Sequence, residues 1–300
     1  MSYSASPNGG LASRRAIDLQ VSTPRRSANS TSRARQQELE VKLATLQRDY
    51  AELHGALIEA AQVYRRLCAP HLVRYNDFEI ASETFAVRHV PGDFFTIQET
   101  TKGVVLALGD ICGKGLAAGM WTTHLVGLVN SRTKAMPEPK AIASGVNRDL
   151  CHISSVAPLA SLFLARLDPV TGWLDYCSAG HPPALLLRSD GQLELLGEGG
   201  PLLGVVAAAA FDQARVQLCA GDVLLICSDG ILESFNEEDQ EFGSQRLVTE
   251  FRGARKDSAD TVLFSVLGAV QDFAAPRPLT DDMTLAVITR SNNKSERKVL

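Results

Sequence analysis

The sequence predicts an α+β fold, an antiparallel sandwich of strands with helices packed on it. Apolar runs of strand length are joined by hairpin signals, such as Asp168-Pro-Val-Thr-Gly172 and Ser189-Asp-Gly191. Two or three helical stretches interrupt the strands instead of alternating with them one for one. The chain also holds no G-x-G-x-x-G and no P-loop, so the regular β-α-β folds that bind nucleotides are excluded.

The chain has 300 residues, 45% of them hydrophobic, which suffices for one or two domains with a sizeable core. A net charge of −4 at pH 7 argues against nucleic acid or an anionic membrane as the main partner. No apolar run reaches the ~20 residues that span a bilayer. The N-terminus carries no apolar signal-peptide core, and a cytoplasmic protein is expected. The six cysteines (Cys68, Cys112, Cys151, Cys177, Cys219 and Cys227) are dispersed without a C-x-x-C. That pattern predicts reduced, mostly buried thiols rather than disulfides or a zinc site.

Residues 1–34 are rich in Ser, Arg, Gly and Pro and poor in large apolar residues, so a disordered tail is expected. The character changes over residues 35–69. Leu39, Leu43, Leu46, Tyr50, Leu53, Leu57, Ala60, Tyr64 and Leu67 recur in alternating four- and three-residue steps. Such a narrow seam predicts a coiled coil or linker helix, and with it a homodimer. The competing reading is a long helix packed on its own globular domain. Two tyrosines, Ala60 and Gly55 weaken the seam, and Pro70 ends the helix.

Strands are expected over 77–90 and 94–98, separated by a Pro91-Gly92 turn, and over 103–109. Helices are expected over 116–132 and 139–153. Strands follow over 162–167, 173–178 and 184–188, the last two separated by Ala179-Gly-His-Pro-Pro183. A fully apolar strand over 223–227 runs into Ser228-Asp-Gly230. A helix over 258–273 and a strand over 283–289 complete the domain, 70–290, and residues 291–300 are expected to fray.

The chemistry-bearing residues are acids at strand ends. Asp93 follows Pro91-Gly92, and Asp110 ends the buried run before Gly113 and Gly115. Asp229 follows the second apolar strand, and Asp281-Asp282 precede the last one. Each alone has an ordinary role: Asp93 as a turn residue, Asp110 as a cap of the helix near Gly115, Asp229 as the N-cap of 231–235, Asp281 as a loop acid. Together they would repel one another unless a cation neutralises them. An all-oxygen set selects Mg²⁺ or Mn²⁺ over zinc or copper.

The motifs Val90-Pro-Gly-Asp-Phe-Phe95, Gly109-Asp-Ile-Cys-Gly-Lys-Gly115, Ala179-Gly-His-Pro-Pro183, Gly221-Asp-Val-Leu-Leu225 with Ser228-Asp-Gly-Ile231, Glu241-Phe-Gly243 and Asp281-Asp-Met-Thr284 occur in that order. In this the chain resembles the SpoIIE/RsbU-type, metal-dependent (PPM-class) Ser/Thr phosphatases of bacteria. The resemblance covers about residues 64–290. It implies an α-β-β-α sandwich of two antiparallel sheets flanked by helices, with two Mn²⁺ or Mg²⁺ ions activating a water for direct hydrolysis. Asp93, Asp110, Asp229 and Asp281 match the acids of that site, with the Ile111 carbonyl and Asp282 as further metal ligands. His181 is expected to order its turn rather than to donate a proton. Lys114 lies in the glycine turn, either touching phosphate or in solvent.

Pro91, Thr96 and Cys112 depart from the family pattern without removing a matched ligand. Only Cys68 has an Arg six residues later (Arg74), and the intervening Ala-Pro-His-Leu-Val holds no glycine to let a backbone loop close around phosphate, which argues against the C-x₅-R loop of cysteine phosphatases. The resemblance further implies a phosphorylated anti-sigma-factor antagonist, or a similar small protein, as substrate in a partner-switching cascade. An upstream regulator on the N-terminal helix is the expected control, since no sensor domain fits before it. The alternative from another class is a catalytically silent dimeric protein that sequesters a phosphorylated partner.

Overall fold

The computed structural model describes residues 25–153, 158–255 and 257–291, with side chains from residue 32 onward. Of the tail expected over 1–34, residues 1–24 lie outside the described residues, as do residues 292–300. The chain divides into two units, 1–54 and 55–300.

Helix α1 (Arg25–Leu67) belongs to both units and starts ten residues before the predicted boundary at 35. After Pro24 the stretch contains neither Pro nor Gly, so its Arg and Ala residues are free to extend the helix backward. In the first unit the seam residues Leu39, Leu43, Leu46, Tyr50 and Leu53 are 55–68% exposed. In the second unit the seam changes character. Tyr64 is buried, and Ala60, Ala61 and Cys68 pack with it against a cluster that includes Val90, Phe94 and Ile111. The predicted seam therefore does not run as a free stripe to Leu67.

The second unit then runs β1 (Leu72–Tyr75), β2 (Phe78–Phe85), β3 (Phe94–Thr100), β4 (Gly103–Ile111), α2 (Leu116–Ala135) and α3 (Pro139–Ile153). Next come β5 (Ala160–Leu167), β6 (Trp173–Ala179), β7 (Ala184–Leu187), β8 (Leu193–Leu196), β9 (Gly199–Gly200) and β10 (Ala214–Gln217). The remainder is β11 (Val223–Cys227), α4 (Asp229–Leu232), α5 (Gly243–Ala254), α6 (Ala259–Ala274) and β12 (Met283–Arg290).

The strands form two sheets, β1-β2-β12-β11-β7-β8 and β10-β6-β5-β4-β3. Pairing is antiparallel throughout except for the two-residue contact of β9 with β6. The inner faces meet in a core that includes Phe78, Phe95, Leu106, Phe163 and Ile288. Helices α2 and α3 cover the outer face of the second sheet through Leu125, Ile142, Val146 and Leu150. Helices α5 and α6 cover the other sheet through Phe251, Val262 and Val266. The α-β-β-α sandwich is thus the observed architecture. Each layer is explained by periodicity, since β4 and β11 bury both faces while α6 buries one stripe.

All six cysteines are free thiols, but only Cys177 and Cys227 are buried, and Cys112 and Cys219 are exposed. The exposed pair sits in turns beside β4 and β11 rather than within the strands. No helix among the described residues is long and apolar enough to cross a membrane.

Candidate metal centre

One end of the sandwich gathers the five predicted acids. Asp93 immediately precedes β3 and is 1% exposed. Its Oδ2 is buried with no hydrogen-bond partner among the described residues. Burial, and then the charge of Asp110, push its carboxyl well above the usual carboxylate range, while the Ser228 hydroxyl acts in the opposite sense. Its backbone carbonyl accepts the hydroxyl of Tyr64, from the last turns of α1.

Asp110 lies next to last in β4, so the sheet fixes its backbone. Burial pushes its carboxyl up to about 6; the hydrogen bond with Asp93 offsets part of this, and the charges of Asp229, Asp281 and Asp282 add to it. Beyond the strand, Gly113 and Gly115 take the left-handed region (φ 124° and 83°), which makes the predicted tight turn possible. A Cβ on Gly92 would lie 3.4 Å from Asp110 Oδ1 and 3.3 Å from the Ile111 carbonyl oxygen. These two oxygens therefore face one small space beside the glycine.

Asp229 is the first residue of α4, and Ser228 is its N-cap. The ordinary role of N-cap considered for Asp229 therefore falls to Ser228. Burial, then Asp281's charge, raise its carboxyl. Gly230 explains the contact between the two loops, because a Cβ there would lie 2.0 Å from the Asp282 carbonyl oxygen. Only glycine lets the start of α4 come so close to the 281–282 turn.

Asp282 is buried, and both its oxygens are engaged. Oδ1 accepts the Val87 N–H at 2.8 Å and Oδ2 accepts the Gly92 N–H at 2.7 Å. It thereby ties the loop before β3 to the start of β12. Burial raises its carboxyl, and these two N–H groups work against the rise.

Asp281 is more open, at 40% side-chain exposure, and forms an ion pair with Lys114 at 2.7 Å. Lys114 also donates to the Thr280 carbonyl at 2.8 Å, so it is not a lysine projecting freely into solvent. As the side chains stand, no three His, Cys, Asp or Glu groups among the described residues close around one point.

Three supporting residues were not anticipated from the sequence. The hydroxyl of Thr122, buried on α2, donates to the Gly92 carbonyl at 2.7 Å. Ser228 Oγ accepts the Thr284 N–H at 2.9 Å, locking β11 to β12 just behind Asp229. Tyr64 is the third. His181 stands apart in role: its Nδ1 is 2.9 Å from the Pro182 carbonyl, and its own carbonyl accepts the Ser178 hydroxyl. Burial pushes its imidazole down to about 4, so it is neutral at neutral pH.

The family model for stage II sporulation protein E (SpoIIE) matches residues 100–291. The phosphoserine phosphatase RsbU of Bacillus subtilis is 22% identical over 249 residues, covering 82% of this chain and 73% of that protein. Three further curated relatives are matched over less than half of their own length. Among solved structures, the SiaA-PP2C domain of Pseudomonas aeruginosa superposes with a TM-score of 0.70 at 17% identity, over 80% of this chain and 97% of that one. The catalytic domain of the serine/threonine protein phosphatase PstP, in complex with 2 manganese ions, superposes with a TM-score of 0.52 at 15% identity, over 72% of this chain and 99% of that one.

Proposed function

The chain belongs to the SpoIIE family of metal-dependent protein phosphatases, and from that premise we propose that it hydrolyses phosphoserine or phosphothreonine on a protein, using two Mn²⁺ or Mg²⁺ ions. The observation that carries this reading is Asp93, a carboxylate 1% exposed, with one oxygen unpartnered, set among four further acids. Ionised acids at such a position demand a cation. The donor set fits a hard divalent ion: Asp93, Asp110, Asp229, Asp281 and Asp282 offer carboxylate oxygens, and Ile111 a backbone carbonyl.

When bound, the ions supply charge to offset the phosphoryl oxygens and lower the pKa of a water that attacks phosphorus. The chain supplies position. Tyr64 grips the carbonyl of Asp93, and Thr122 and Asp282 grip Gly92 beside it. The β4 strand fixes Asp110, and the Gly230 contact brings Asp229 beside Asp281. His181, buried and neutral, orders the Ala179–Pro183 turn and takes no proton-donor role.

The substrate reading is a phosphorylated anti-sigma-factor antagonist, or a similar small protein, within a partner-switching cascade in the cytoplasm. RsbU's description as a phosphoserine phosphatase supports it. The exposed seam of Leu39, Leu43, Leu46, Tyr50 and Leu53 supports a homodimer through α1 and gives an upstream regulator a surface to bind. The test compares turnover of a phosphoserine-bearing antagonist domain with that of phosphorylated metabolites, under saturating Mn²⁺. A clear preference for the phosphoprotein is expected. Far better turnover of metabolites would replace the reading with a small-molecule phosphohydrolase.

A further inference from the structure

Lys114 forms an ion pair with one of the five acids, Asp281. Its ammonium lies 2.7 Å from Asp281 Oδ2. The other Asp281 oxygen, Oδ1, accepts the Asp282 backbone N–H at 2.9 Å. Both oxygens of this carboxylate are therefore engaged from within the chain. Lys114 is anchored at a second point by the Thr280 carbonyl, next to Asp281 in sequence. Its charge also works against the rise in the Asp229 and Asp282 carboxyls, although burial is the largest influence on both.

The hold is a reversible one. Lys114 is 44% exposed and Asp281 40%, so water competes for both partners. The lysine is flanked by Gly113 and Gly115, and its long side chain can leave without disturbing a core residue. A single ammonium matches a carboxylate only as a point charge. A divalent ion shared by several oxygens is a stronger partner for the same group.

We propose that Lys114 is an internal counter-cation that competes with a divalent metal ion for Asp281, so that loading of the site at Asp281 requires the ammonium to let go. This rests on the metal reading given above. It makes Lys114 a residue that sets metal affinity from outside the ligand set, and it accounts for an acid cluster that is tolerated before metal binds.

The test is Mn²⁺ binding followed by calorimetry on the full chain, comparing wild type, Lys114→Gln, Lys114→Arg, Asp281→Asn and the Lys114→Gln/Asp281→Asn double variant. Competition of this kind predicts that Lys114→Gln binds Mn²⁺ about two- to fivefold more tightly, the range expected from losing an exposed ion pair. Lys114→Arg should retain wild-type affinity. In the Asp281→Asn background Lys114→Gln should change nothing. Unchanged or weaker binding by Lys114→Gln, with normal binding by wild type, overturns the proposal and leaves the metal site standing. Tightening that persists in the Asp281→Asn background also overturns it, because the effect is then a general field of the lysine. Wild type that binds no Mn²⁺ overturns both the site and the proposal.

Discussion

Replacing Asp110 with Asn should stabilise the metal-free protein while abolishing its response to metal. Asp110 is held at the end of β4 among four other acids, and its carboxyl is pushed up to about 6 by burial and by the charges of Asp229, Asp281 and Asp282. The sign follows from linkage. An acid whose folded pKa lies above its unfolded value near 3.8 favours the protonated native state, so the native state is penalised at pH values above about 6 and relieved as pH falls. A difference of about two units corresponds to up to about 3 kcal/mol at neutral pH. Asn keeps the shape and removes the charge, so Asp110→Asn should gain up to that amount in chelator. For a domain of this size the gain is about 6–12 °C in Tm. With Mn²⁺ at one hundred times its Kd, wild type should gain about 2.7 kcal/mol, whereas the variant should gain little. Thermal melts at pH 7, with chelator and with Mn²⁺, measure both effects. A variant that melts lower than wild type in chelator, or that keeps the full Mn²⁺ response, refutes the reasoning.

Other consequences follow from single contacts. Tyr64→Phe keeps the buried ring but leaves the Asp93 carbonyl without its hydroxyl partner, so stability should fall by about 1–3 kcal/mol and the Mn²⁺ titration midpoint should rise; identical melts and titrations would show that the hydroxyl positions nothing. His181, pushed down to about 4 by burial, is stable in its neutral form. Its contribution is complete above about pH 6.5 and lost as pH falls toward 4, amounting to as much as about 3 kcal/mol. Denaturant unfolding of wild type and His181→Gln across that window should diverge in slope, and parallel curves would contradict the assignment. Replacing Leu46 and Leu53, both more than 60% exposed, with Asp should convert a dimer to a monomer with lowered activity; light scattering that finds the same mass for both chains, with unchanged activity, removes the coiled-coil reading.

The legible parts of the fold were those with strong apolar signals. Strand β11 and the 104–108 part of β4 appear in the sequence as unbroken apolar runs, β12 carries the apolar stretch 285–288, and an acid of the cluster lies within or close to the end of each strand. Strands β1, β8 and β10 did not, because they are short edge or near-edge strands whose residues are mostly only half buried. Helix α5 is amphipathic but follows the polar stretch 236–241, and its stripe of Leu247, Phe251 and Ala254 is too sparse to stand out in the sequence. At the site, each acid was legible because it sits beside a glycine or a second acid at the end of an apolar run. Their supports were not. Tyr64 meets Asp93 across 29 residues, Thr122 meets Gly92 across 30, and Lys114 reaches Thr280 across 166. Contacts of that separation are set by how the sheets and helices pack, and a local pattern carries no trace of them. Asp282 is an intermediate case: its motif was visible, yet its two bonds to the backbone of Val87 and Gly92 emerge only in the folded chain.

The most direct test of the central claim is hydrolysis of p-nitrophenyl phosphate by the purified chain with Mn²⁺, with Mg²⁺ and with chelator, beside Asp229→Asn. The account predicts turnover with a divalent ion, none in chelator, and loss in the variant. Mn²⁺ binding without turnover in any condition would turn the reading toward a silent protein that sequesters a phosphorylated partner. Turnover that survives both chelator and Asp229→Asn would contradict the account, because the acid cluster would then not be the site of the chemistry.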